Sequence, residues 1–266
     1  MKITSSYLFL IAFIFSVFLL GGISLSAQEI VVPGMPIEKN STQDPPATVI
    51  TSEHFKKHAG ETIYLNLSKV GDAVVNKLII GKAPQPGTPA FAADDTNRIV
   101  VYANATQQQI DQAKAAEYGF FSFASILGSN FKAEQLPQTA ALFNQVNADL
   151  KLSTDAAKDT FRRHHPLRDG GFSYPSDHAA NMFFYARLLT EIYPAQAKEF
   201  YQYARQVSQD RVILGGHYPA DIVAGEAYGF YLATEFLSNP SFQQKWNEVK
   251  SEITTLIPSV STIPVE

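Results

Sequence analysis

Arg211, His217 and Asp221 stand in the order R-x5-H-x3-D within RVILGGHYPAD, and these are residue types that can do chemistry together. A carboxylate on one nitrogen of an imidazole leaves the other nitrogen free to attack an electrophile. An arginine adds a permanent charge and a planar fork of donors, which suits a phosphate. The arrangement depends on a helix that begins at Pro219, because the apolar run ADIVAGEAYGFYLATEFL then lets Asp221 turn back toward His217 at the helix entry.

Two further stretches carry matching groups. In SYPSDHAAN, proline and serine precede a helix whose free N–H groups make an anion site; Ser176 adds a hydroxyl and His178 a proton donor in the first turn. In KDTFRRHHP, Lys158, Arg162 and Arg163 bring positive charge on a short helix. Taken singly, these stretches read as a cap, a solvated face and a surface pair. In order along one chain they make a set of anion ligands, a proton donor, a nucleophile and an orienting carboxylate.

The surrounding elements are predominantly helical. Expected helices are TQQQIDQAKAAEYGFFSFASIL capped by Thr106, KAEQLPQTAALFNQVNADLKL interrupted or started by Pro137, and STDAAKDTFRRHH ended by Pro166. SDHAANMFFYARLLTEIY, AQAKEFYQYARQVSQD, the helix after His217, and NPSFQQKWNEVKSEITTLI with Asn239 as cap complete an all-α compact bundle over 86–257. Before it, residues 27–85 read as an N-terminal arm and a segment whose pattern fits strand or helix; residues 258–266 read as a tail. Residues 1–26, with one early lysine, an apolar run from Tyr7 to Leu20 and small residues at the exit, have the layout of a secretory signal peptide, which implies a periplasmic or secreted protein. No later window is long and apolar enough to span a membrane.

Zero cysteines exclude disulfide staples and thiolate chemistry, so a packed core must carry stability. The formal charge of −4, about −5 without the leader, and the lack of a basic run beyond Arg162–Arg163 argue against nucleic acid as a partner. No metal-ligand spacing and no cofactor motif are present, and a homo-oligomer is compatible with the composition.

The three stretches resemble the signature of the type 2 phosphatidic acid phosphatase superfamily, K-x6-R-P, P-S-G-H and S-R-x5-H-x3-D, and are similar in particular to the secreted class A bacterial non-specific acid phosphatases. The resemblance implies a helical fold of the acid phosphatase and vanadium haloperoxidase type. It implies a phosphohistidine on His217, orientation by Asp221, protonation of the leaving alcohol by His178, and phosphate held by Lys158, Ser176, Arg211 and the backbone N–H of residue 177, with no metal and a small phosphorylated substrate. Three positions depart from the signature: His165 stands for arginine, Asp177 for glycine and Asp210 for serine. His165 binds phosphate only when protonated, with Arg162 or Arg163 as the alternative donor; Asp177 puts a carboxylate beside the anion site. The competing readings are a lipid or polyprenyl-diphosphate phosphatase, vanadate-dependent peroxidation, and a phosphate-binding relative without turnover.

Overall fold

The computed structural model describes residues 62–167 and 170–258, all within the compact unit Val49–Glu266. The expected signal peptide, most of the arm and nearly all of the tail lie outside the described residues. Among these the regular elements are helices: α1 (Leu67–Val70), α2 (Ala73–Ile80), α3 (Pro89–Asn104), α4 (Gln107–Ala115), α5 (Ala124–Leu127), α6 (Pro137–Phe161), α7 (Asp177–Ile192), α8 (Ala197–Ile213), α9 (Pro219–Ser238) and α10 (Pro240–Leu256), with short 3-10 turns at Phe120–Phe123 and Pro194–Gln196. The all-α expectation holds; among the described residues, pairing of strand type is confined to an isolated bridge between His164 and Phe172.

Several boundaries differ from expectation, for local reasons. The helix from Thr106 is split: its capping box with Gln109 starts α4, but the chain breaks before Gly119, whose φ of 140° no helix accommodates, and resumes as separate short turns. Conversely, the two helices expected around Ser153 are one. Ser153 and Thr154 do not cap; their hydroxyls donate backward to the carbonyls of Asp149 (2.8 Å) and Leu150 (2.9 Å) within the continuous α6. The helical body also takes in residues 62–85. Buried Asp149 accepts the N–H groups of Ile63 (2.9 Å), Tyr64 (2.7 Å) and Leu65 (3.2 Å), pinning that segment to α6. Of the strand and helix readings left open for this segment, the strand is therefore not realised.

α7 is the central helix. Its face of Ala179, Ala180, Met182, Phe183, Phe184, Ala186, Leu188 and Leu189 is buried against α8 and α9. The α7–α9 approach is close because α9 carries Gly225 and Gly229. A Cβ on Gly225 would collide with the Ser176 carbonyl and stand 2.7 Å from the Ala179 Cβ; one on Gly229 would run into the Ala180 carbonyl group. Two glycines one turn apart thus set the distance between the helices whose first turns hold the candidate site. Behind this pair lies an aromatic core in which Phe120 stacks on Phe143 at 3.6 Å and Phe242 lies parallel to Trp246.

Candidate active site

The starts of α7 and α9 are tied directly, since the Ser176 N–H donates to the Asp221 carbonyl at 2.9 Å. Ser176 follows a cis Tyr174–Pro175 bond and is fully buried as the α7 cap, its Oγ accepting from the Ala179 N–H at 3.4 Å. Tyr174 anchors this turn by donating to the Ile80 carbonyl at 2.6 Å; burial, with the Asp221 charge adding to it, pushes the Tyr174 hydroxyl up to about 12.

His217 and Asp221 are both buried, with His217 Nδ1 3.3 Å from Asp221 Oδ2. The same oxygen accepts the Tyr218 N–H at 2.9 Å, which fixes the carboxylate plane at the entry of α9. With the carboxylate at Nδ1, the proton of a neutral ring resides there and Nε2 keeps its lone pair. Burial holds His217 below its ordinary value against the opposing pull of Asp221, so the neutral, nucleophilic form persists into the acid range.

Around this ring the fold gathers His178, Asp177, Lys158 and His165. His178, in the first turn of α7, has its ring 6.5 Å from that of His217, and Tyr118 packs edge-on against it at 4.4 Å. Lys158, in the last turn of α6, reaches Asp177 Oδ1 at 3.0 Å. Burial alone would raise the Asp177 carboxyl, but the neighbouring His178 ring and the Lys158 ammonium outweigh it and hold Asp177 below the usual carboxylate range. Arg211 lies in the last turn of α8 with a buried Nε that has no hydrogen-bond partner, and its carbonyl accepts the Gly216 N–H at 2.9 Å, folding the loop before His217 back onto α8. Beside it Asp210 is buried; desolvation raises its carboxyl, while the Gln206 amide at 3.0 Å and Arg211 oppose that rise.

His165 is placed next to the nucleophile, its ring 4.9 Å from His217, with Nδ1 donating to the Gly216 carbonyl at 2.7 Å. Of the two arginines considered as alternative phosphate donors, Arg163 has both terminal nitrogens turned to carboxylates. Its Nη1 donates to Asp221 Oδ1 at 3.0 Å and its Nη2 to Asp94 Oδ2 at 2.6 Å, and its guanidinium lies 3.8 Å over the Tyr218 ring. Arg162 ends α6 in the left-handed conformation and its Nε donates to the Asp159 carbonyl at 3.3 Å. The buried triad Asp94–Arg163–Asp221 is the part that sequence reasoning missed. Asp94 sits on α3, and its second oxygen accepts the Ala220 N–H at 2.9 Å, so two carboxylates grip the first turn of α9. The pair RR in KDTFRRHHP signalled charge, but only the fold shows which arginine turns inward.

No metal-ligand spacing is visible along the chain, yet folding brings one ligand atom each from Asp177, His178 and His217 within 4.8 Å of one another. A divalent ion there would share the Asp177 carboxylate with the Lys158 ammonium, so like charges would meet at 3 Å scale, a poor fit for a cation.

Residues 116–245 match the PAP2 superfamily. The chain is similar to a non-specific acid phosphatase of Salmonella typhi, 28% identical over 199 residues that cover 64% of this chain and 77% of the relative. It is also similar to a non-specific acid phosphatase of Providencia stuartii, 24% identical over 209 residues, 71% of this chain and 84% of the relative. Among solved structures, the chain is similar to a transmembrane PAP2 type phosphatidylglycerolphosphate phosphatase from Bacillus subtilis, 20% identical, covering 67% of this chain and 97% of that one at a TM-score of 0.39.

Proposed function

We propose, for a chain whose residues 116–245 form a PAP2 superfamily domain and which is a phosphoric ester hydrolase, that it cleaves phosphomonoesters through a phosphohistidine on His217, without a metal. The observation that supports this most is the buried His217–Asp221 pair lying beside Lys158 and His178 at the joined starts of α7 and α9. In the first step His217 Nε2 attacks phosphorus, the P–O ester bond breaks, and His178 gives its proton to the departing alkoxide. In the second, His178 takes a proton from water, the hydroxide oxygen bonds to phosphorus, and the P–N bond breaks to return neutral His217 and inorganic phosphate. Lys158, Arg211 and the α7 N-terminal N–H groups hold the equatorial oxygens, on which charge resides throughout.

The N-terminal signal layout supports export to a periplasm or the exterior, and N-terminal sequencing of protein recovered from the producing cells tests it by whether the first 26 residues are gone. Among the described residues no helix is long and apolar enough to cross a membrane. The activity is tested with an aryl phosphate from pH 4 to 8 in the presence of EDTA. Turnover that survives EDTA is expected. Phosphate binding without turnover would make the chain a binder, and loss of turnover restored by Zn²⁺ or Mg²⁺ would overturn the metal-free mechanism.

A further inference from the structure

Asp177 stands where the resembled signature has glycine, and its side chain points into the site rather than away from it. Its Oδ1 is 3.0 Å from Lys158 Nζ and 3.5 Å from His178 Nδ1, and its carboxylate shares a 4.8 Å cluster with His178 and His217. The charged and titratable groups around it are Lys158 from α6, His178 from its own helix, and His217 from the loop before α9 with Asp221 behind that ring. A fixed carboxylate within reach of a bound oxyanion is not neutral in its effect. An anion that offers only lone pairs is repelled at hydrogen-bond distance; an anion that carries a proton donates it into a short charge-assisted O–H···O⁻ bond. A phosphomonoester, with a second pKa of about 6, has such a proton in the acid range. A sulfate ester or a phosphodiester has none in that range.

We propose that Asp177 is a specificity-determining residue that makes this site select a phosphoryl group bearing a proton, the monoanion of a phosphomonoester or of a terminal phosphate, over dianions, phosphodiesters and sulfate esters. The inference rests on the phosphate site proposed above. In it Lys158 bridges the Asp177 carboxylate and the phosphoryl oxygens, so the ion pair orients the lysine and the carboxylate reads the proton. A hydrogen bond to a charged group contributes roughly 1.5–3 kcal/mol, which is about 10- to 150-fold in affinity.

Inorganic phosphate and sulfate share a tetrahedral shape, but at pH 6 phosphate is chiefly a protonated monoanion and sulfate an unprotonated dianion, so the test is calorimetric titration of the full-length protein with each at that pH. The wild type is expected to prefer phosphate by about 10- to 150-fold. In Asp177→Asn, and independently in Asp177→Gly, the preference should shrink to about threefold or less, chiefly through gained sulfate binding. Equal affinity of the wild type for the two anions, or an undiminished preference in both variants, overturns the role of Asp177 while leaving the phosphate site standing. A wild type that binds neither anion overturns the phosphate site and this inference together.

Discussion

Replacing Arg163 with methionine would remove a cation that is 3% exposed and held between two carboxylates at 2.6 Å and 3.0 Å, with its face on Tyr218. The methionine fills much of the space, so the main loss is electrostatic: Asp94 and Asp221 are left buried, close to one another and without their shared counter-charge. Breaking a buried pair by removing one partner costs about 3–5 kcal/mol. For a body of this size each kcal/mol moves Tm by roughly 2–4 °C, so a fall of about 6–20 °C is expected. Lysine should rescue only part of it, because one ammonium cannot span the two carboxylates as the guanidinium fork does. Asp94→Asn combined with Arg163→Met should be less unstable than the sum of the single changes, since the second removes the charge the first no longer needs to meet. Differential scanning calorimetry of the wild type, Arg163→Met, Arg163→Lys, Asp94→Asn and the double variant at pH 7 measures this. An Arg163→Met protein melting within about 2 °C of the wild type would refute the triad as the clamp on α9.

Gly229→Ala should destabilise by about 1–3 kcal/mol, because its Cβ has no place against the Ala180 backbone; denaturant titration reads this, and an unchanged midpoint would mean α9 can shift freely. His178→Ala should lower kcat/KM for an alkyl phosphate by about 10²–10⁴-fold but far less for a nitrophenyl phosphate, whose leaving group needs no proton; equal losses on both would remove His178 from the acid role. Burial holds His217 below its unfolded value of 6.5, so the unfolded chain binds its proton first as pH falls, and the stability that burying the neutral ring provides above pH 6.5 is lost on acidification. His217→Asn should therefore show a shallower loss of stability below pH 6.5 than the wild type in parallel melts, and parallel profiles would contradict the depressed value.

What the sequence made legible was whatever rests on local rules. Pro219 and Pro240 at N1, Asn239 and Ser176 as caps, and the i, i+4 relation of His217 and Asp221 are set by backbone chemistry within a few residues. What it hid depends on partners far along the chain. Ser153 looks like a cap until its hydroxyl is seen bonding backward inside the continuous α6. Arg163 looks like a phosphate donor because nothing local says that Asp94, on a separate helix, completes its coordination. The carboxylate of Asp177 was visible as an oddity beside an anion site, and its pairing with Lys158 required the end of α6 to meet the start of α7.

The account's central claim is that His217 carries the phosphoryl group between the two half-reactions. Acid-labile, base-stable phosphate trapped by rapid quench with a labelled phosphomonoester, followed by peptide mapping under alkaline conditions, tests it directly. The label is expected on the peptide containing His217 in the wild type, to accumulate there in His178→Ala supplied with a good leaving group, and to be absent in His217→Ala along with turnover. Label on another residue, or substantial turnover by His217→Ala, would contradict the mechanism.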